Sequence, residues 1–430
     1  MKKEIKSAAK ELLNFINSSP TMFHATEVLK EMFEKAGFIK LDEAAKWNLE
    51  KNKSYFVERN SSAIIAFKVG TKSAAEAGFR IAGAHTDSPA LKLKSEAETV
   101  IKNMIKIPVE VYGGPIIATW LDRELSIAGR VVFSTKKGLS QKLVDLKKPL
   151  AIVPNLAIHM NREINKGFEY NNQNHLPAII SAMPENGEKN LLKSMVAHEL
   201  KINAEDILAM DMFLYDATNS ILGGSSEELV IAGKIDNLAM CHAAAAAIIS
   251  AKTAESTAVA MFFDNEEVGS ATLHGAASSF PRDILERIIL STKGDLEDWY
   301  RAAANSWMIS ADAAHALHPN FPEKHDPNYA PLMNCGPVIK MNSNFRYATT
   351  AESAAYFADI CAKAKVPCQK IINRSDVPAG STIGPVTSSA LGIKTVDVGN
   401  PMWAMHSIRE TAGVYDHFYM NEALKYFFQN

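Results

Sequence analysis

Apolar and polar positions change their period along this chain, and the changes divide it. Near the start, Ile5, Ala8, Ala9, Leu12, Leu13 and Ile16 recur at helical spacing, with Glu4 and Glu11 on the other face. A second helical stretch ends at Gly37, a residue suited to the left-handed turn that closes helices. Two apolar, β-compatible runs follow at 62–69 and 79–84, and the second delivers His85 at its end. From residue 229 strand and helix alternate again. The run 229–232 leads to Asp236 and an alanine-rich helix through 251, 258–263 to an acidic turn, 307–309 to Asp312, and 394–398 to Gly399. Repeated strand–helix units predict an α/β fold: a mainly parallel sheet sandwiched by helices, with ligands gathered beyond the carboxyl ends of the strands.

Between residues 95 and 228 the pattern differs. Short extended runs (107–112, 129–133 and 150–153) sit among glycine and proline turns, with one charged segment at 185–201. This stretch predicts a separate, β-rich domain inserted into a discontinuous one formed by residues 1–94 and 229–430.

Bulk properties narrow the picture further. Forty-six basic against forty-eight acidic residues leave a net charge of −2, which gives no electrostatic reason to expect nucleic acid. The four cysteines show no CxxC spacing, and four reduced thiols in a cytoplasmic protein is the expectation, although Cys361 and Cys368 stand close enough to suggest a bridge. The basic start has the look of a signal peptide, but its apolar residues are spaced helically rather than continuous. No run approaches the roughly 20 apolar residues that cross a membrane.

The chemistry lies in five separate motifs: GAHTDSP (83–89), KIDNLAMCH (234–242), FDNEEVGS (263–270), SADAAH (310–315) and MHSIRE (405–410). In order they offer His85, Asp236, Glu266 with Glu267, Asp312 and His406. Two histidines and three carboxylates can hold two divalent ions if one aspartate bridges them, and the remaining glutamate is free to act as a base. Asp87, two residues after His85, can accept the other ring N–H of a ligating imidazole. Asp236 opens a helix, where an aspartate is also an ordinary N-cap. The turn with Asp264, Glu266 and Glu267 crowds three carboxylates at one strand end, which is costly unless a cation or proton offsets them. Adjacent glutamates allow one to ligate while the other takes a proton from water and passes it to a leaving amine. His198 and Glu199 lack the second histidine of a zincin and stand as a surface pair. The glycines of 380–384, Gly380 first, suit a close approach of backbone to a substrate or metal ligand.

Longer segments carry a resemblance. GAHTDSPALKLK, VEVYGGPIIATWLDRELSIAGRV, LAIHMNR, KIDNLAMCHA, DNEEVGS, SADAAHALHPNFPEKHDP, GPVIKMNSNFRYAT, AGSTIGP and AMHSIRE together resemble the M18 metallopeptidases, the aspartyl aminopeptidase and aminopeptidase I family. The likeness runs from His24 to beyond Glu410 and departs from the family's pattern at Lys234, where arginine is common. It implies a two-zinc aminopeptidase acting on short peptides with free N-termini, whose inserted β-rich domain serves dimerisation and whose dimers assemble into a dodecamer. On matched positions Asp236 bridges the metals, His85 and Asp312 complete one site, Glu267 and His406 the other, and Glu266 is the general base. Asp87 matches the carboxylate beside the first histidine. His159, which alone would pass for a structural histidine, matches one that enters a neighbouring subunit's site and helps hold the substrate carbonyl. Lys340 matches the lysine that meets an acidic first side chain in acid-preferring members, and His315 is placed to line the same pocket. Manganese and cobalt suit such ligands as well as zinc. The competing readings are a neutral or broad-specificity aminopeptidase, an N-acyl amino-acid deacylase or carboxypeptidase on the same metal scaffold, and a shell protein with a vestigial site. The last would lack a ligand or the base, and every one is present.

Overall fold

A computed structural model describes residues 2–183 and 190–430, so residues 185–189 of the charged segment lie outside the described residues. The chain divides into two compact units. Met1–Asp87, Ser220–Met405 and Glu410–Asn430 form the first, and Ser88–Asn219 with His406–Arg409 the second.

The first unit is built on a nine-stranded sheet. Its strands in chain order are β1 (Ile39–Lys40), β2 (Ser54–Arg59), β3 (Ala63–Lys68), β4 (Phe79–His85), β5 (Thr257–Phe263), β6 (Trp307–Ala311), β7 (Val338–Met341), β8 (Gln369–Ile372) and β9 (Lys394–Gly399). Across the sheet they run β1-β2-β3-β5-β4-β6-β9-β7-β8. The central four, β5, β4, β6 and β9, are parallel, so their carboxyl ends share one edge. Strand β7 runs antiparallel to β9.

Along β5, Ala258, Ala260 and Phe262 enter one core with the helices Lys3–Asn17, Met22–Lys35, Ile235–Ser250, Ala351–Ala364 and Val414–Gln429. Val259, Met261 and Phe263 enter a second core with the helices Phe280–Ser291, Leu296–Asn305 and Ile383–Leu391. Burial on both faces is why this strand reads as an unbroken apolar run. The expected α/β class, a mainly parallel sheet between helical layers, is what forms.

Local signals act as anticipated at the chain's start. Ile5, Ala9, Leu12 and Ile16 are buried along the helix Lys3–Asn17. Gly37 (φ 81°) follows the helix Met22–Lys35, its N–H donating to Glu34 O while Phe38 N–H reaches Phe33 O. The rings of Phe33 and Phe38 pack 5.2 Å apart across this turn, the apolar contact that accompanies a left-handed helix end.

In the second unit an antiparallel sheet runs in the order Gly138–Asp145, Leu125–Thr135, Ile207–Asp216, Ala90–Leu93, Val109–Tyr112, beside a three-stranded sheet and the helix Leu191–Leu200. The run expected as a strand at 150–153 forms only single bridges, Ala151 to Leu125 and Ile152 to Ile179. All four cysteines are free. Among the described residues no helix is long and apolar enough to cross a membrane.

Candidate metal centre

Strand β4 ends at the carboxyl edge of the sheet, and its last residue, His85, is buried there. His85 Nε2 stands 3.6 Å from Asp236 Oδ1, 3.5 Å from Asp312 Oδ2 and 4.0 Å from Glu266 Oε2. Donor atoms of His85, Asp236 and Asp312 lie within 4.8 Å of one another, as do those of His85, Glu266 and Glu267. Ligands about 2.0–2.2 Å from a tetrahedral ion are about 3.3 Å apart, so this nitrogen–oxygen set fits zinc with little adjustment.

Each carboxylate is brought in by a different local device. Asp312 directly follows β6, with its N–H donating to Val398 O at 2.8 Å. Asp236 is not the helix cap that its position suggested. Lys234, in left-handed geometry, holds the N-cap position, and Asp236 (φ −79°, ψ 106°) leaves helical geometry altogether. The Asp236 N–H donates to Glu410 Oε2 at 3.1 Å, and the Asn237 side chain donates to Ala311 O at 2.9 Å. These two anchors turn the Asp236 carboxylate toward His85 instead of toward the helix's own N–H groups.

Asp87 organises both sides of the cluster. Its Oδ1 and Oδ2 accept the backbone N–H groups of Glu266 and Glu267, each at 3.1 Å. His85 Nδ1 lies 3.3 Å from Asp87 Oδ1 and 3.1 Å from Asp87 O. With Nδ1 donating there, loss of the second ring proton to a bound cation would leave the Nε2 lone pair facing the donor cluster. Asp264, third of the turn's acids, accepts from Asn265 N–H at 2.7 Å and lies 3.4 Å from His274, so Glu266 and Glu267 are the two that join the donor set.

The electrostatics record a surplus of negative charge. Burial, reinforced by Asp312, Asp87 and Asp236 and opposed by His85, pushes the Glu266 carboxyl up to about 7. For His85, burial works against the charged form, but Asp236, Asp312 and Asp87 overcome it and hold the imidazole well above its ordinary value. A divalent cation is the natural offset for such a donor set.

The remaining expected site residues are placed variously. Lys340, on β7, is buried and donates to Asp312 Oδ1 at 2.7 Å and to Ala313 O at 3.0 Å. His315 is exposed and lines a cavity of about 400 Å³ with His318, Phe321, Lys324, Tyr329 and Trp403. Gly380 borders open space: a Cβ there would meet nothing within 4 Å. The tight position in that motif is Gly384, where a Cβ would fall 2.3 Å from the Asp397 carboxylate. His406 (φ 68°) belongs to the second unit, and its Nδ1 lies 3.1 Å from Gly114 O. His159, also in the second unit, is exposed in a turn with Ile158 and Met160, two residues beyond the exposed Leu156.

Three contributors were not singled out from sequence. Glu410 and Asn237 lay inside quoted motifs as unremarked polar residues. Cys241, whose Sγ donates to His85 O at 3.0 Å, carried no signal beyond its place one helical turn after Asn237.

A parallel sheet presenting histidine and carboxylates at its carboxyl edge fits the class of metal-dependent hydrolases. Residues 15–428 match the family described as Aminopeptidase I zinc metalloprotease (M18), and the chain belongs to this family. It is 46% identical over 432 residues to a probable M18 family aminopeptidase 2 of Clostridium acetobutylicum, covering 100% of both chains. Among solved structures it is similar to a chain of the Ape4 and Nbr1 complex, at 36% identity and TM-score 0.95, covering 99% of this chain and 86% of that one. It is also similar to the chain of a yeast (S. cerevisiae) mApe1 dodecamer, at 27% identity and TM-score 0.86, covering 98% and 96%.

Proposed function

We propose that this M18 family member is a two-metal aminopeptidase that removes the first residue from short peptides with free N-termini and favours aspartate or glutamate there. Zinc is the resident ion in this reading, with manganese and cobalt as substitutes. Asp236 would be shared by the two sites, with His85 and Asp312 completing one and Glu267 and His406 the other. The observation that carries the reading is the buried cluster of Asp236, Asp312 and Glu266 around His85 Nε2, with Glu267 beside it.

Divalent ions in such a site supply Lewis acidity toward the scissile carbonyl and toward water. The chain's own groups do the rest. Glu266, whose Oε2 lies 4.0 Å from His85 Nε2 and which is not among the proposed ligands, is placed to shuttle a proton. It takes a proton from water as the water oxygen bonds to the carbonyl carbon. It returns that proton to the amide nitrogen as the carbon–nitrogen bond breaks. Asp87 keeps Glu266 and Glu267 in register with His85 throughout. The acidic preference rests on the family match at Lys340, whose ammonium is buried and paired with Asp312.

Self-association belongs to the same proposal. The second unit serves dimerisation, dimers build a dodecamer like that of the yeast relative, and His159 enters a neighbour's site to hold the substrate carbonyl. The cytoplasm is the proposed location, with neither membrane nor nucleic acid as a partner.

The test is release of free amino acid from short peptides, some N-acetylated, with and without chelator. Chelator-sensitive cleavage of the free-amine peptides alone, ranked acidic over neutral, is expected. Equal ranking would leave a broad-specificity aminopeptidase. Cleavage of acetylated peptides would move the assignment to a deacylase or carboxypeptidase.

A further inference from the structure

Asp312 is fixed on three sides. Its N–H is held by Val398 O. Its carbonyl oxygen packs so closely on Gly399 that a Cβ there would come within 1.8 Å of it. Its Oδ1 accepts from Lys340 Nζ at 2.7 Å, while Oδ2 faces His85 Nε2 at 3.5 Å. The same ammonium donates to Ala313 O at 3.0 Å and stands 5.1 Å from the Tyr347 ring centroid, in surroundings that leave Lys340 3% exposed.

Register explains why a lysine is needed. Strand β9 lies between β6 and β7, and Ile339 pairs with Val398, which in turn pairs with Ala311. Because β7 is antiparallel to β9, Lys340 sits one position back from the carboxyl edge, while Asp312 sits one position beyond Ala311, so the two are two strands apart and also offset along them. A long side chain is required to cover that span.

We propose that Lys340 is a positioning residue for the metal site, holding Asp312 as a one-oxygen ligand. The inference rests on the two-metal reading above and assigns Lys340 a task separate from choosing the substrate's first residue. A carboxylate with two open oxygens can rotate or bind an ion through both. A charge-assisted hydrogen bond to Oδ1 removes that freedom and leaves Oδ2 aimed at the cluster. Residues that orient a ligand in this way are typically worth about 10–100-fold in metal affinity.

The test uses full-length, chelator-stripped protein and calorimetric titration with Zn²⁺, comparing wild type with Lys340→Met, which keeps the stem and removes the charge. Metal affinity of at least one site is expected to fall about 10–100-fold, with turnover recovering as free metal is raised. Asp312→Asn and the double variant close a cycle. If Lys340 acts through Asp312, adding Lys340→Met to Asp312→Asn causes little further loss. This comparison holds even if Lys340→Met lowers the thermal midpoint, because it asks whether two losses overlap. Unchanged metal affinity in Lys340→Met, with only the acidic-to-neutral ranking altered, would overturn the inference. Independent, additive losses in the cycle would overturn it too. Failure of the underlying reading looks different: wild-type protein would bind fewer than two ions.

Discussion

Asp87 takes the N–H groups of Glu266 and Glu267 on its two oxygens and faces the Nδ1 side of His85, so a single side chain sets the geometry of three others. Asparagine at this position keeps the shape but replaces one accepting oxygen with a donor, so one of the two N–H groups loses its partner. Asp87→Asn is therefore expected to lower metal affinity about 10–100-fold while leaving the fold intact, read by calorimetry beside a thermal midpoint. Glu266 and Glu267 are adjacent and chemically identical, and their proposed roles separate under substitution. Glu266→Gln is expected to retain both ions by elemental analysis and to lose about 100- to 10,000-fold in kcat. Loss of metal together with activity would make Glu266 a ligand instead.

At the scale of elements, the helices Ile235–Ser250 and Val414–Gln429 meet through a buried histidine pair, His242 Nδ1 to His417 Nε2 at 2.9 Å, with the Phe15 ring 5.6 Å from His242. Burial lowers both, His242 to about 4 and His417 well below its ordinary value, with the proximity of His242 adding to the latter. Folded values below an unfolded value of about 6.5 mean that no stability is lost above that pH. As pH falls from there toward 4, the unfolded chain binds protons that the folded pair refuses, and stability drops by about 1.4 kcal/mol per pH unit for each histidine. Thermal midpoints in chelator between pH 7.5 and 5 are expected to fall less steeply for His417→Gln than for wild type. Equal slopes would show that the pair does not contribute.

The same scale shows what the sequence could and could not reveal. Strands buried on both faces are legible as apolar runs, and the parallel sheet places the residues after them, His85 and Asp312, on one edge. The direction of a side chain is less legible. Asp236 looks like a cap because caps and ligands both favour aspartate at a helix start, and only Glu410, 174 residues away, turns it aside. Asp264 counts as one of three crowded acids until His274 is seen beside it. The pairing of Lys340 with Asp312 leaves no local sign, because the partner lies two strands over, a relation fixed by sheet order and not by local pattern. The two ends of the 380–384 motif differ in a way no local pattern shows: Gly384 abuts the Asp397 carboxylate, while Gly380 borders open space.

At the scale of the whole molecule, the proposed entry of His159 into a neighbour's site makes activity a property of the assembly. Taken with the exposed Leu156, Ile158 and Met160 beside it, this gives a test that no single-chain explanation can pass. His159→Ala homo-oligomers retain Glu266 but lack the donated histidine. Glu266→Gln homo-oligomers retain the histidine but lack the base. Each is expected to be weak alone. In a two-fold dimer exchanging the same surface, a mixed pair has one site with both defects and one with neither. Equal co-expression with random pairing leaves roughly half the dimers mixed, so roughly a quarter of all sites are fully intact. Activity of the co-expressed mixture is then expected near a quarter of wild type, far above either parent. If His159 served its own chain's site, every site in the mixture would carry one defect. Activity would then equal the mean of the two parents, and the proposed trans role would be lost.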